Sequence, residues 1–338
     1  MPFCNVFTNP AWWKTFWSGN HFTYEEIPDL RGKVAIVTGG TGGLGYATVV
    51  ALAAHGAHVF IASRHEVKAM EAIERAHADI LQLQFDYPNA PSHSSGIEKP
   101  KIEYLSLDLS DMRKSHAAAR EFLDRGLPLH ILVNNGGIKN VEFEPTADGY
   151  ENHFGVNHLG HFVFTTTLLV RESQPSRIVI LSSMAHEIPP SSKPIDFVGL
   201  TGPKPKQMPL CLYGQSKLAN LLFGKALARR LRNDRVWVNI AHPGCVDTQI
   251  YKGMRESDSR AFHNFSKFWL KLAYTAKEAA LTQLYCATSP EIEEKDIRGR
   301  YFIPIANELR PNPISDDVDL QERLWDYSEK AAQGLSKV

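Results

Sequence analysis

From Lys33 onward, short β-branched and aromatic runs alternate with longer stretches in which apolar side chains recur every three or four residues. The runs fall at 34–37, 58–62, 102–107, 130–133, 177–181, 236–241 and 301–303, and most are nearly continuous in apolar residues. A strand with one face in water alternates apolar with polar; a strand without that alternation is buried on both faces, as in a parallel sheet. Helical patterns lie between the runs, at 44–55, 65–81, 111–125, 148–171, 212–232 and 276–288. This alternation predicts an α/β fold over residues 31–305, a doubly wound parallel sheet with helices on both faces.

The rhythm breaks at 84–100, which holds Pro88, Pro91 and Pro100, and at 187–210, which holds Pro189, Pro190, Pro194, Pro203, Pro205 and Pro209. Proline at that density cannot continue a helix or a central strand, so both segments are expected to be surface insertions. Residues 306–338 read as a C-terminal extension, in which Val318, Leu320, Leu324 and Trp325 predict a closing amphipathic helix over 316–334. Residues 1–30 form an arm whose Trp12, Trp13, Phe16 and Trp17 would gather on one side of a short helix. Such an arm either packs on the domain or makes peripheral membrane contact, because Trp favours the boundary between water and lipid. Segment 246–273, with Phe262, Phe265, Phe268 and Trp269 at helical spacing, reads as core packing or as the lid of a lipophilic pocket.

Composition narrows the function classes. Among 338 residues, 37 basic side chains balance 37 acidic ones with no long basic run, which removes the electrostatic footprint of a nucleic-acid binder. Cys4, Cys211, Cys245 and Cys286 are widely spaced without a CxxC pair, so neither a disulfide framework nor a zinc site is indicated, and a reducing compartment fits. No stretch reaches the ~18 apolar residues of a membrane span. A cytoplasmic protein, soluble or attached to a membrane at its surface, is expected. His153, His158 and His161 share one predicted helix without a nearby cysteine or paired carboxylate, and no metal site is expected there.

Chemistry enters with Thr38-Gly39-Gly40-Thr41-Gly42-Gly43-Leu44-Gly45, which follows a buried strand and opens a helix. Glycines let the backbone approach a pyrophosphate, and the helix start offers free N–H donors and a positive dipole end, so this is a dinucleotide site. An NAD reader places a carboxylate ~20 residues past the loop for the ribose 2′-hydroxyl. Eighteen residues past Gly45 stands Ser63, followed by Arg64, and the first acid is Glu66. A hydroxyl and a guanidinium attract a 2′-phosphate where a carboxylate would repel it, so NADP(H) is the expected cofactor. Further on, Tyr213 and Lys217 stand one helical turn apart, on one face. An ammonium ~4 Å from a phenol contributes about 4 kcal/mol at an effective dielectric near 20, enough to bring the phenol from ~10 toward ~7. The spacing therefore predicts an acidified tyrosine.

Together these motifs resemble the short-chain dehydrogenases/reductases. TGGTGGLG fits their TGxxxGxG loop through Gly39, Gly43 and Gly45, and equally the GxxGxxG loop of the extended, sugar-nucleotide-modifying branch through Gly39, Gly42 and Gly45. Segments 177–186 and 213–223 are similar to the retinol-dehydrogenase and WW-domain-oxidoreductase-like cluster, whose loop usually carries asparagine where Thr41 stands. The resemblance implies cofactor contacts from Thr41, Leu44, Asp108, Leu109, Pro243, Gly244 and Thr248. It implies further contacts from Asn135, Gly136 and Gly137, in an NNGG that stands for the family's NNAG, and from Tyr213 and Lys217 at the nicotinamide ribose. It implies that Ser183, with Ser182 as the alternative, donates to a substrate carbonyl, that Tyr213 is the general acid/base, and that Asn157 holds a water linking Lys217 to solvent. The implied activity is an NADP(H)-dependent interconversion of a carbonyl and an alcohol on a lipophilic small molecule, in a chain that pairs as a homodimer through its fourth and fifth helices. Two alternatives stand beside it: an epimerase or dehydratase acting on a nucleotide sugar, and a dinucleotide-sensing scaffold without turnover.

Overall fold

The computed structural model describes residues 19–90, 100–139, 142–169, 175–188, 193–202, 207–246 and 273–333. All seven predicted runs are strands: β1 (Val34–Thr38), β2 (His58–Ser63), β3 (Ile102–Ser106), β4 (Ile131–Asn134), β5 (Ser176–Leu181), β6 (Val236–Ala241) and β7 (Tyr301–Ile303). An eighth, β8 (Asn307–Glu308), joins antiparallel to β7. The sheet order is β3-β2-β1-β4-β5-β6-β7-β8. The chain winds outward from β1 in one direction and from β4 in the other, so a crevice opens at the carboxyl ends of these two neighbours.

The near-continuous apolar runs have a direct cause. Alternate residues of each strand feed two separate cores: Ala35, Val37, Val59, Ile61, Val133 and Val179 face one side, with α1 (Gly43–Ala54) and α2 (Glu66–Asp86) packed over them. Ile36, Phe60, Leu132, Ile178, Val238 and Ile240 face the other. That second side is covered by α3 (Met112–Asp124), by α4, which consists of Asn152–Phe154, a π turn Gly155–Leu159 and Gly160–Leu168, and by α5 (Pro209–Arg230). Completing the helices are α6 (Ala276–Thr288) on the first side, the single turn α7 (Glu291–Glu294) and α8 (Val318–Ala332).

Several boundaries differ from the sequence expectation for physical reasons. Helix α2 runs on through 84–86, taking them from the expected insertion, because Ile80 and Leu83 still face the core. Helix α5 starts at Pro209, inside the other expected insertion, since proline in a first helical turn gives up an N–H that has no helical partner. The fourth helix widens into a π turn where it is pressed by neighbours. A Cβ on Gly155 would lie 2.4 Å from Thr146 Cγ2, and one on Gly160 would lie 2.4 Å from the Leu109 carbonyl oxygen.

The C-terminal segment belongs to the body of the fold: it supplies β8 and α8. Helix α8 lies across the outer face of α4 and α5. Trp325 packs on Phe162 and Phe223 with ring centroids 5.1 and 5.9 Å apart, His158 shares a 2.8 Å hydrogen bond with Ser328, and Arg229 and Arg230 pair with Glu322. The face expected to pair with a second copy is thus covered from within the same chain. Of the arm, residues 22–30 pack on the body through Phe22, Tyr24, Ile27 and Leu30; Trp12, Trp13, Phe16 and Trp17 lie outside the described residues, as do 247–272 with the expected lid and Thr248.

Candidate active site

At the switch point the glycine loop and the NNGG segment meet backbone to backbone. Gly39 has φ +67, and a Cβ there would lie 2.9 Å from Gly136 Cα. A Cβ on Gly45 would stand 2.4 Å from the Gly39 carbonyl oxygen and 2.5 Å from Asn135 Nδ2, which itself donates to the Thr38 carbonyl at 2.9 Å. Only bare backbone allows this approach. Helix α1 begins after Gly42 with no side chain capping it, so its first N–H groups face the cleft as anion donors. Glycine in place of the family's alanine at 136 has a local reason: a Cβ would press on Leu109 Cδ1 at 3.0 Å and Thr38 Oγ1 at 3.2 Å.

The resulting cleft holds about 690 Å³, within the range of small-molecule sites. Its wall includes Gly39, Thr41, Gly43, Leu44, Gly45, Asn135, Gly136, Gly137, Ser183, Tyr213, Lys217, Pro243 and Gly244 from the sequence reading. Ser63, Arg64, Asp108 and Leu109 are not among its lining residues. Arg64 is exposed beside the start of α2, and the Ser63 hydroxyl is buried at the end of β2. Asp108 accepts from the Ser110 backbone at 3.1 Å and from the Ser110 hydroxyl at 2.6 Å. Burial works against its charge, yet those bonds and Lys114 hold the carboxyl below the usual range. Sequence reasoning missed Lys68, Glu71 and Arg75, which α2 turns toward the loop at intervals of three and four residues; Arg75 also lies over the Tyr46 ring at 4.1 Å. It also missed Ile138, Lys139 and His242. A helical wheel of α2 would have put Lys68, Glu71 and Arg75 on one face.

At the reaction end, the Ser183 hydroxyl lies near the Tyr213 phenol and favours its ionised form, and Lys217 Nζ lies 5.7 Å from the centre of the Tyr213 ring while donating to the Leu181 carbonyl at 3.1 Å. The neighbouring Ser182 is committed elsewhere, its hydroxyl donating to the Lys217 carbonyl at 2.8 Å. Asn157 sits on the π turn of α4. Its Oδ1 accepts from the Ile138 N–H at 2.8 Å, and its Nδ2 donates to the Ile138 carbonyl at 3.0 Å and to Ser216 Oγ at 2.9 Å. A π turn re-aims one residue of a helix, a device common at functional sites. The buried histidines of α4 are structural: His161 joins Thr38 Oγ1 at 2.8 Å to the Asn157 carbonyl at 3.0 Å, so strand β1 and the asparagine are held as one unit. No group of three metal-ligating side chains occurs among the described residues.

Burial works against the expected acidification of Tyr213. It pushes the phenol up to about 12, with the nearby Ser183 hydroxyl pulling the other way, and burial pushes Lys217 down to about 8. Desolvation dominates because protein closely surrounds the phenol, while Lys217 spends an N–H on the Leu181 carbonyl. Lys217 is therefore a stability liability. Below pH ~8 both folded and unfolded chains carry the charge and its burial costs up to about 3 kcal/mol; as pH rises toward 10.5 the folded chain sheds the proton first and stability recovers. Lys217→Met should raise Tm at pH 7 and lose that advantage by pH ~10, measured by thermal melts across that range.

The chain matches the short chain dehydrogenase family model over residues 33–194. It is 37% identical over 323 residues to an uncharacterised oxidoreductase of Schizosaccharomyces pombe, covering 93% of this chain and 89% of that one. It is 36% identical over 323 residues to retinol dehydrogenase 12 of Mus musculus, covering 95% and 92%. A solved short chain dehydrogenase from Burkholderia cenocepacia, in complex with NADP, superposes with a TM-score of 0.58 at 25% identity, covering 82% and 98%. No helix among the described residues is long and apolar enough to cross a membrane. The loop geometry, the sheet order and these relatives agree: the chain belongs to the short-chain dehydrogenase/reductase family of nucleotide-binding oxidoreductases, in the cluster that holds the retinol dehydrogenases.

Proposed function

We propose that the protein interconverts a carbonyl and an alcohol on a lipophilic small molecule, using NADP(H), with Tyr213 as general acid/base. The observation that carries this reading is that Ser183, Tyr213 and Lys217 share one wall of the cleft, with Ser183 near enough to the phenol to favour its ionised form and Lys217 against the same ring. Two hydroxyls converging there can both donate to one oxygen, which stabilises charge that develops on a carbonyl under reduction. A bound dihydronicotinamide supplies hydride. Tyr213 gives its proton to the nascent alkoxide, Ser183 fixes the oxygen, and Asn157 holds the Ile138 segment and Ser216 in register with the tyrosine. Lys217 is placed to stabilise the phenolate left behind.

The 2′-phosphate preference rests on Lys68 and Arg75, which line the cleft beside the glycine loop, and on Arg64, exposed just before α2. NADP in the Burkholderia structure and the retinol named for the mouse relative support cofactor and substrate class. Asp108 and Leu109 belong to the adenine end in this reading, and Pro243, Gly244 and Thr248 to the nicotinamide end. Surface attachment to a membrane through residues 1–18 of a cytoplasmic chain is part of the proposal, and a homodimer would have to use a face other than the one α8 covers.

The test is turnover of aldehydes and ketones of rising chain length, retinal among them, with NADPH or NADH. Rates should rise with chain length and favour NADPH. Arg64→Asp should raise KM for NADPH by about tenfold or more, the size of one charge-assisted contact, while KM for NADH changes little. Equal effects on both cofactors would remove Arg64 from the 2′-phosphate site.

A further inference from the structure

Lys139 has no part in the chemistry described so far. It directly follows Ile138, whose backbone N–H and carbonyl are both held by Asn157. The segment that presents Lys139 is thereby tied to the side chain that also bonds Ser216, three residues past Tyr213. The Lys139 ammonium lies 5.6 Å from the centre of the Tyr213 ring, against 5.7 Å for Lys217, so two cations flank one phenol. Burial holds this ammonium below its ordinary range, while the nearby Cys245 acts in the opposite sense. His242, in the same wall, is kept neutral at about 3 by burial, with His186, Lys139 and Lys217 adding to the effect.

The wall is basic at both ends. Among the described lining residues the one carboxylate is Glu71, between Lys68 and Arg75 beside the glycine loop, and the reaction end carries Lys139 and Lys217. An anionic group brought to the half-buried Lys139 ammonium forms a charge-assisted hydrogen bond. Lys139 is also close enough to the phenol that one small molecule can touch both.

We propose that Lys139 selects the substrate: the carbonyl compound is an amphiphilic oxo-acid whose carboxylate docks on Lys139 while its carbonyl oxygen meets Tyr213 and Ser183. This rests on the reading of the site as a carbonyl–alcohol oxidoreductase and narrows it, from a lipophilic molecule to one with an apolar body and an anionic group a few bonds from the reacting carbon.

The experiment compares oxodecanoates, with the carbonyl moved stepwise along the chain, against their methyl esters, using the NADPH-loaded full chain. At one carbonyl position the acid should exceed the ester in kcat/KM by about tenfold or more, the worth of one charged hydrogen bond. Lys139→Met should bring that ratio near one and Lys139→Arg should restore part of it, the ester rate serving as the control for folding. In parallel, decanoate and decanamide are titrated calorimetrically into the NADP⁺ complex, and decanoate should lose affinity in Lys139→Met while decanamide does not. Ester turnover with no acid preference at any position, or a preference that survives Lys139→Met, overturns the proposal and leaves the oxidoreductase reading intact. A changed pH profile of kcat with an unchanged acid-to-ester ratio also overturns it, since Lys139 would then act on the phenol alone. Turnover of neither series overturns both.

Discussion

Tyr213→Phe is expected to reduce kcat by about 10²–10⁴, the range contributed by a positioned proton donor, while NADPH affinity stays within a few-fold of the parent. Removing the hydroxyl takes away the proton but leaves the ring, which sits edge-on to His153 at 6.2 Å between centroids, in its packing. The change is therefore local. Stopped-flow hydride transfer, with cofactor binding followed by fluorescence, separates the two effects. A variant that turns over at near the parent rate would dismiss this tyrosine as the acid, whereas one that loses cofactor as well would mean the ring supports the cleft.

The second large effect is expected from a single methyl group. Gly45→Ala places a carbon 2.4 Å from the Gly39 carbonyl oxygen and 2.5 Å from Asn135 Nδ2, where backbone and a bonded amide leave no room to yield. Overpacking of this kind costs about 1–3 kcal/mol. Because the strain falls on the loop that cradles phosphate, dissociation of NADPH should weaken by about tenfold to a hundredfold, read by calorimetry. Gly42→Ala is the control, since a Cβ there meets nothing within 4 Å. Equal losses in the two variants would show that chain flexibility, not close approach, is what the loop requires.

The strands were legible because a parallel sheet buried on both faces writes itself as unbroken apolar runs; β1, β2, β5 and β6 are nearly wholly apolar for that reason. Helix α8 was legible too, through Leu320, Leu324 and Trp325 on one face. Strand β8 was not, since two residues carry no period, and neither was the π turn, which arises from contacts of Gly155 and Gly160 with Thr146 and Leu109 that are distant in sequence or hidden in a loop. In the cleft, motif spacing brought Ser183, Tyr213 and Lys217 together on paper. It could not report the balance between desolvation and attraction at Tyr213, because that depends on how much protein surrounds the phenol. Lys68 and Arg75 escaped notice because counting from a strand end finds one residue, while a helix brings several to the same loop.

Helix α8 is translated after every other element described, yet it closes the outer side of the two helices that carry Asn157 and Tyr213. A chain cut before α8 keeps all the catalytic side chains but loses the Trp325 ring from Phe162 and Phe223. A premature stop codon just beyond β7 would therefore spare every motif of the cleft while yielding a chain whose exposed aromatic flank invites aggregation.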